Sequence, residues 1–393
     1  MNILVAHPGT QHAHHLVSGL IAAGEKVNYN TILSFGSNSR WKHLLPGSLF
    51  NKRSLKTIGD EVIERYPLLE PIPQLLRAFN VEDHRSFGIR NRMFQKRLSM
   101  RAIRNSSAVI GYDSSSVILA RKANKAGVPF CLELTTPHPL EKQKWLDYVH
   151  TSFPEWPSNV LKKPKDLIDD EEEEVRLATI VSAPSKYVRD SHQRHSGNQK
   201  KMVINPFGAD VSEFRPKTSY NKTRPRFVFM GAINAAKGLP VLLEAWRLAK
   251  PDATLVIAGV GELPSGVKLP GDTEFVGRIQ KHEREQFMHA ADVFVCPSLY
   301  EGLALVQLEA AACGLPLIGT HNSGGSEFLE EGKEGYFVEA GNVNALAEKI
   351  DKLAGDPALR ESMGLSAAAK AKYYTWDAYV QRWLDVLRNQ LSL

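Results

Sequence analysis

The sequence predicts an α/β protein built from two doubly wound, Rossmann-like domains that face a cleft. Its 393 residues are enough for two domains of ordinary size. In both halves, patterns typical of strands alternate with patterns typical of helices, as in parallel sheets with crossover helices. Between the halves, residues 205–225 are rich in Pro, Asn and charged side chains, which is typical of a linker. We therefore expect one domain over residues 1–205 and a second over residues 206–375.

Short apolar runs bounded by Gly, Pro or polar residues predict the strands of the two sheets. In the first half, the predicted strands are residues 2–6, 26–33, 108–112, 129–134 and 179–183. In the second half, they are residues 226–230, 254–258, 274–276, 293–296 and 317–319. Residues 376–393 carry apolar side chains at helical spacing and predict a C-terminal helix. Residues 36–105 show no clean alternation, and a long irregular insertion of this kind is usually functional or mobile.

Composition excludes several classes of protein. No stretch approaches 18 continuous apolar residues, so we expect no membrane-spanning helix, and the N-terminus lacks the pattern of a signal peptide. The three cysteines, Cys131, Cys296 and Cys313, lie in or beside apolar segments, which predicts reduced thiols and a cytoplasmic location. A net charge of +6 with a pI near 9.0 permits anionic ligands without requiring nucleic acid.

The most informative feature is a pair of carboxylates, Glu301 and Glu309. Residues 292–298 predict a short buried strand, and a loop of small residues leads from it into a helix that ends at Gly314. Glu301 then lies at the carboxyl end of a parallel strand, where open α/β sheets bind their ligands. Glu309 lies inside the following helix, at most about 12 Å further on. The pair could bind separate parts of one extended ligand; alternatively, both are solvated helix acids.

Five segments, in the same order along the chain, resemble the motifs of glycosyltransferase family 4, also called glycosyl transferases group 1. The likeness is close over residues 180–380. The segments are NPFGAD with FRP (205–210 and 214–216), FVFMGAINAAKG (227–238), LVIAGVG (255–261), the Glu-x7-Glu stretch (301–309), and GGSE with GYFV (324–327 and 335–338). This resemblance implies the GT-B fold, a donor-binding second domain, an acceptor-binding first domain and a C-terminal helix that crosses back onto the first domain.

The resemblance also implies roles for particular residues of the second domain. Lys237 precedes a predicted helix, where its ammonium and the free N–H groups of that helix would bind a diphosphate; the alternative is an ordinary surface lysine. Glu309 would accept hydrogen bonds from a ribose diol, whereas Glu301 would face the donor sugar and its oxocarbenium-like transition state. Backbone N–H groups at the next helix start would contact the phosphates, namely those of Ala304, Leu305 and Val306.

Two further features of the donor site come from the same comparison. The backbone at Arg278 and Ile279 occupies the position that reads the nucleotide base. Ala232 stands where many family members carry an arginine that contacts the diphosphate, and Ala304 stands where the family usually has glycine. Lys237, backbone N–H groups and Arg278 would then hold the diphosphate, or the pocket is weaker than in those relatives.

In the first domain, the resemblance assigns the loop at Gly9 and Thr10 to the diphosphate and acceptor, and it places His138 near the donor sugar. His12 and His15 share a predicted helix face, but no nearby carboxylate or cysteine completes a tetrahedral set, so we expect no metal site and favour capping or acceptor contact. The acidic run at residues 169–174 predicts a solvated helix start.

The irregular insertion carries a basic segment at residues 85–104, with seven Arg or Lys residues and no acid. On a single helix, four arginines would share one face: Arg90, Arg97, Arg101 and Arg104. This face is either a solvated surface over a core stripe or a docking surface for an anionic membrane or a phosphate-bearing acceptor. We read the insertion as specific to the acceptor.

Together these observations predict a retaining, metal-independent glycosyltransferase with no cofactor besides its substrates. It would transfer a hexose from a nucleotide-diphosphate sugar to a hydroxyl of a glycan or lipid-linked acceptor, in the cytoplasm or peripherally at the inner membrane face, without nucleic acid. The absence of an Asp-x-Asp motif at a strand end supports metal independence. The alternatives are a nucleotide-sugar 2-epimerase on the same fold and a non-catalytic donor-binding partner subunit.

Overall fold

The computed structural model describes residues 1–9, 12–40, 53–55, 57–156, 162–197, 200–221 and 223–391. Within these residues, two separate parallel sheets lie on either side of the segment 205–225, and helices cover both faces of each sheet. The predicted fold class, two Rossmann-like domains, is confirmed. The predicted contact residue Thr10 lies outside the described residues, as does part of the irregular insertion.

The first sheet has the order β5-β2-β1-β6-β7-β8-β9 in the described part of the chain. A small additional pair, β3 with β4, lies in the irregular insertion. The strands are β1 (Asn2–Ala6), β2 (Lys26–Thr31), β3 (Phe35–Gly36), β4 (Ser54–Leu55), β5 (Ile63–Arg65), β6 (Ala108–Tyr112), β7 (Phe130–Glu133), β8 (Ile180–Ala183) and β9 (Met202–Ile204). Its central strands are buried on both faces, which explains their continuous apolar runs.

The helices of the first half connect these strands. They are α1 (Ala13–Ala22), α2 (Ile72–Ala78), α3 (Asp83–Arg97), α4 (Met100–Arg104), α5 (Val117–Ala126), α6 (Pro139–Ser152), α7 (Lys165–Leu177) and α8 (Lys186–Ser196). Strands β3, β4, β5 and β9 were not predicted from the sequence, because runs of two or three residues show no periodicity.

The second sheet has the order β12-β11-β10-β13-β14-β15. Its strands are β10 (Arg226–Met230), β11 (Thr254–Ala258), β12 (Thr273–Gly277), β13 (Val293–Cys296), β14 (Leu317–Thr320) and β15 (Gly335–Val338). Its helices are α9 (Leu239–Ala249), α10 (Arg284–His289), α11 (Leu305–Ala312), α12 (Val343–Gly355) and α13 (Pro357–Ala371). The chain order reverses beside β10, so the carboxyl ends of β10 and β13 flank the crevice where a doubly wound sheet binds its ligand.

The last helix, α14 (Trp376–Leu391), follows the second sheet in sequence but packs on the first half of the chain. Gly19 of α1 allows this approach, because an added Cβ there would lie 2.5 Å from a methyl carbon of Val380. Trp376 stacks on His15 with ring centroids 3.9 Å apart. The Tyr379 hydroxyl donates to the buried carboxylate of Glu133 at 2.6 Å. The C-terminal helix therefore ties the two halves together.

Two predictions about charged segments are wrong. The acidic run lies within α7, where Glu171 and Glu174 are buried. Glu174 accepts hydrogen bonds from the backbone N–H groups of Ser114 and Ser116, at 2.9 and 2.6 Å. These acids hold the loop after β6 in place, so the run as a whole is not a solvated helix start.

The basic segment is not one helix. Helix α3 ends at Arg97, Leu98 adopts an extended conformation, and Ser99 caps a separate helix, α4. Arg90 is half-buried with its guanidinium 4.9 Å from the ring centroid of Phe87, whereas Arg97, Arg101 and Arg104 are exposed. No helix in the described part of the chain has the length and apolar character that crossing a membrane requires.

Candidate functional site

A cavity of about 520 Å³ lies at the carboxyl ends of β10 and β13 in the second domain. It brings together several residues that the sequence singles out. Among its lining residues are Ala232, Lys237, Arg284, Ser298, Glu301, Ala304, Leu305, Val306 and Glu309. The predicted Glu301–Glu309 pair therefore shares one cavity with the predicted diphosphate lysine, although these positions are up to 72 residues apart in the sequence.

The loop after β10 positions Lys237 at the cavity. Asn234 caps this loop by accepting a hydrogen bond from the Lys237 N–H at 3.1 Å. Gly238 follows in the left-handed conformation, with φ of 72°, and an added Cβ would lie 1.8 Å from the carbonyl oxygen of Pro297. The loop thus packs directly against the end of β13, which fixes the backbone that carries the ammonium group.

Lys237 and Glu301 form an ion pair, in which the lysine ammonium donates to Oε1 of the carboxylate. The Ser298 hydroxyl donates to the same oxygen at 3.2 Å. Both charged side chains keep some exposure to the cavity, at 31% for Lys237 and 16% for Glu301. A ligand with an anionic group and hydroxyl groups could therefore replace this pair with contacts of its own.

Glu309 is paired with Arg284, which sequence reasoning missed. Arg284 Nη1 donates to Oε1 and Oε2 of Glu309, at 2.9 and 3.1 Å. Burial raises the pKa of Glu309, and the guanidinium of Arg284 opposes that rise. Arg284 is the first residue of α10, just after a capping box between Gln280 and Glu283, and this local signal predicts a helix start without indicating a ligand contact.

The start of α11 differs from its prediction in one respect. Ala304 is the N-cap residue, but its N–H already donates to the Ser323 carbonyl at 3.1 Å. This hydrogen bond takes Ala304 out of the predicted set of three free N–H groups. Leu305 and Val306 begin the helix and remain the candidates for phosphate contact.

Arg278 and Ile279 do not line this cavity among the described residues. They follow β12, the edge strand of the second sheet, and Arg278 is exposed while Ile279 is half-buried. Arg284 lines the same cavity as Ala232, the position at which the resemblance expects an arginine.

A second cavity, of about 410 Å³, lies at the carboxyl end of the first sheet. Its lining includes His7, Gly9, His84, Arg90, Asp113, Ser114, Thr136, Lys142, Lys163 and Tyr300. The hydroxyl groups of Tyr29 and Thr31 each donate a hydrogen bond to the Gly9 carbonyl at 3.3 Å, and these bonds hold the loop after β1. Tyr300 comes from the second domain and adjoins Glu301, so the two cavities meet at this loop.

Three histidines that the sequence singles out, His12, His15 and His138, make structural contacts. His138 is buried and caps α6, where its Nδ1 accepts from the Leu140 N–H at 3.2 Å. Burial lowers its pKa to about 3, with His192 and His195 adding to the effect. This position does not support the predicted contact with the donor sugar.

His12 has a carboxylate neighbour that the sequence did not reveal, since its Nε2 lies 3.1 Å from Oε1 of Glu133. His15 stacks on Trp376, and burial lowers its pKa to about 3. Glu133 is already bonded to Tyr379, so this cluster joins the first domain to the C-terminal helix. Among the described residues, no group of three or more His, Cys, Asp or Glu side chains could hold a metal ion.

A protein-family model described as "Glycosyl transferases group 1" matches residues 210–370. This range contains all the residues that line the 520 Å³ cavity. Residues 210–370 are therefore similar in sequence to the glycosyl transferases group 1, and the matched part of the chain carries Lys237, Glu301 and Glu309.

Proteins with related sequences agree with this assignment. The GDP-mannose-dependent monoacylated alpha-(1-6)-phosphatidylinositol monomannoside mannosyltransferase of Corynebacterium glutamicum is 29% identical over 244 residues, or 55% of this chain and 63% of that protein. A D-inositol 3-phosphate glycosyltransferase of Pseudarthrobacter chlorophenolicus is 29% identical over 221 residues, or 51% of this chain. The alignment spans 53% of the length of the latter protein.

Solved structures match the second domain together with the first half of the chain. Sucrose-phosphate synthase from Thermosynechococcus elongatus has a TM-score of 0.67 and 18% identity, covering 100% of this chain and 99% of its own. Anabaena HepE in complex with UDP has a TM-score of 0.65 and 16% identity, covering 99% of this chain and 100% of its own. This likeness concerns the fold, and the chain has the GT-B fold.

Proposed function

We propose that this protein is a retaining, metal-independent glycosyltransferase that transfers a hexose from a nucleotide-diphosphate sugar to a hydroxyl acceptor. One observation carries the proposal: Lys237, Glu301 and Glu309 line a single cavity inside the segment that matches the glycosyl transferases group 1. A cation beside two carboxylates suits a ligand that has an anionic diphosphate between two hydroxyl-bearing sugars. The relatives described above are named as transferases or synthases, which does not favour the epimerase or the non-catalytic alternative.

In this mechanism, Lys237 binds the diphosphate and stabilises the charge that grows on it as the glycosidic bond breaks. Binding separates Lys237 from Glu301, and Glu301 is then free to accept hydrogen bonds from hydroxyls of the donor sugar. The N–H groups at the start of α11 add to the phosphate site. The acceptor attacks from the face that the diphosphate leaves, and a leaving phosphate oxygen takes the acceptor proton, so the anomeric configuration is retained.

Glu309 accepts hydrogen bonds from the ribose diol, and the guanidinium of Arg284 opposes the rise in the pKa of Glu309 that burial causes. Arg284 also supplies a cation to the cavity in which Ala232 replaces the usual arginine. The names of the related proteins and structures include both GDP-mannose and UDP, so they support a nucleotide sugar without agreeing on its base.

The decisive experiment is a panel of UDP-, GDP- and ADP-sugars, screened by thermal shift and followed by product analysis with the best donor. We expect one donor to stabilise the 393-residue protein, to be hydrolysed slowly without acceptor, and to release a sugar of unchanged anomeric configuration. Activity should survive EDTA. A protein that binds no nucleotide sugar, or that isomerises the donor without hydrolysis or transfer, would contradict the proposal.

We further propose that the enzyme acts in the cytoplasm and contacts anionic lipid at the inner membrane face through Arg97, Arg101 and Arg104. These side chains are exposed on α3 and α4 of the acceptor-binding domain. Each cation near an anionic surface contributes about 1 kcal/mol. Wild-type protein should sediment with vesicles of anionic lipid at low salt, and the double variant Arg97→Glu/Arg101→Glu should not. Equal sedimentation of the two proteins would identify these arginines as an ordinary solvated surface.

A further inference from the structure

The cavity of the first domain is lined by three cations, and they differ in how their charge is neutralised. Lys163 forms an ion pair with Glu171 beneath the cavity. Arg90 and Lys142 have no carboxylate in contact within the part of the chain that the structure describes. Arg90 donates to the side-chain oxygen of its neighbour Asn91 at 2.8 Å, and Lys142 donates to the Thr136 hydroxyl at 3.1 Å.

These two cations are held in place rather than extended into solvent. Arg90 is half-buried over the Phe87 ring, and burial lowers its pKa. Lys142 is also half-buried. Burial is the largest cause that lowers its pKa and Lys163 adds to it, whereas the more distant carboxylates of Glu171 and Asp113 oppose the shift. Nearby cations of α3 and α5 are different: Arg92 is paired with Asp170, and Arg121 with Glu173. A partly desolvated cation with no carboxylate in direct contact is only partly compensated, and an anionic ligand in contact with it would reduce the cost of its burial.

The acid that lines the same cavity, Asp113, is largely engaged by protein donors. Its Oδ1 accepts from the Thr135 hydroxyl at 2.6 Å, and its Oδ2 accepts from the N–H groups of Thr135 and Thr136 at 3.0 and 3.3 Å. Burial and the neighbouring Glu171 raise its pKa. Asp113 therefore opposes an anion less than a free carboxylate would, and it provides an acceptor for a ligand hydroxyl.

We propose that this cavity binds an acceptor that carries a phosphate group, with Arg90 and Lys142 as the residues that contact the phosphate. A planar guanidinium and a flexible ammonium form a common pair for an oxyanion. Tyr300 closes the cavity on the side of Glu301, so a hydroxyl of the same acceptor would point toward the donor cavity. The inference rests on the proposed function, because it names the class of acceptor for that reaction.

The test is a titration of the 393-residue protein with inorganic phosphate and with D-myo-inositol 3-phosphate, followed by ³¹P NMR line broadening. Loss of one charge-assisted contact should weaken binding about tenfold, so Arg90→Gln and Lys142→Gln should each reduce it by that factor. The matched controls are Arg85→Gln on α3 and Lys144→Gln on α6, both exposed and outside the cavity, and they should bind as the wild type does.

A second arm distinguishes the source of the phosphate by comparing vesicles that contain phosphatidylinositol with vesicles of phosphatidylcholine alone. Binding of inositol phosphate in solution indicates a soluble acceptor, and binding only to phosphatidylinositol vesicles indicates a lipid headgroup. Both results support the proposal if Arg90→Gln and Lys142→Gln weaken them. Phosphate binding that survives in both variants would belong to another cation, such as Lys237, and would overturn the assignment.

Binding and hydrolysis of a nucleotide sugar distinguish a failure of the proposed phosphate site from a failure of the proposed transferase activity. If the wild type hydrolyses a nucleotide sugar but binds phosphate no better than Arg90→Gln and Lys142→Gln do, the phosphate site is wrong and the transferase stands. If phosphate binds through Arg90 and Lys142 but no nucleotide sugar is bound, the cavity is an anion site and the proposed transferase activity is wrong.

Discussion

Lys237 is the residue whose removal should affect the reaction most directly. Lys237→Ala should reduce kcat by roughly 10²–10³, the effect of losing one preorganised donor that stabilises transition-state charge. The fold should be intact, because the side chain contacts the cavity and not the core. The exposed Lys268, in the same domain but outside the cavity, provides the control Lys268→Ala. Steady-state kinetics with the best donor measure the difference, and equal turnover in the two variants would remove Lys237 from the mechanism.

Calorimetry should show that Glu301 and Glu309 contribute differently to nucleotide binding. Glu309→Gln should weaken binding of the free nucleoside diphosphate, because an amide accepts less strongly from a ribose diol than a carboxylate does. Glu301→Gln should not weaken that binding, since it removes the partner that neutralises Lys237, but it should reduce transfer. Equal losses of nucleotide affinity in both variants would contradict these separate roles.

Arg284 should control how nucleotide binding depends on pH. Burial raises the pKa of Glu309, and Arg284 lowers it, so removing the guanidinium should raise that pKa further. Because the carboxylate form binds the ribose, affinity falls as the pH falls through the pKa of Glu309. In Arg284→Gln this loss should therefore begin at a higher pH than in the wild type. Calorimetric titrations of nucleoside diphosphate across the acidic range test it, and an unshifted profile would show that Arg284 does not act on Glu309.

At the level of single elements, the turn between β10 and α9 should tolerate no side chain. Gly238→Ala should destabilise the protein by about 1–2 kcal/mol through its left-handed backbone alone. The cost should exceed this value, because the added Cβ would lie 1.8 Å from the Pro297 carbonyl oxygen. Gly332, like Gly238, has a positive φ, of 79°, but it has open space around it. Gly332→Ala therefore measures the destabilisation caused by the left-handed backbone alone. Equal denaturation midpoints for the two variants would show that the turn can move away from β13.

At the level of the whole molecule, the two domains touch at the loop that carries Glu301. Gly302 lies so close to the first domain that an added Cβ would be 1.9 Å from the Thr135 carbonyl oxygen. The Ser185 hydroxyl donates to the Gly302 carbonyl at 2.8 Å, which fixes the same contact. This approach brings the donor cavity and the first-domain cavity together.

Gly302→Ala should therefore hold the domains apart and reduce transfer more than it reduces nucleotide binding. Small-angle scattering should show a larger radius of gyration than for the wild type, and kinetics should show a lower kcat. Gly355→Ala, at a glycine with open space around it, is the control. A radius and a kcat equal to those of Gly355→Ala would mean that this close contact is not part of the working conformation.

The sequence by itself determined the two-sheet architecture and singled out several residues that line the second-domain cavity. Buried parallel strands are continuous apolar runs, and the Glu301–Glu309 spacing places both acids beside one crevice, so both signals are local. Strands of two to four residues, including the edge strand β15, and the break at Leu98 gave no periodic signal. The sheet edges and the arginine surface were therefore predicted incompletely.

Only the tertiary structure decided which charges neighbour one another. Arg284 contacts Glu309, which is 25 residues away in sequence, and Glu174 accepts a hydrogen bond from the Ser114 N–H, which is 60 residues away. In each domain, helices and loops that are distant in sequence meet at the edge of its sheet. Tertiary packing also buried His138 and left Arg90 and Lys142 without a carboxylate in contact in the described part of the chain. A side chain's partners depend on desolvation and on neighbours from other elements, and neither is encoded in local spacing.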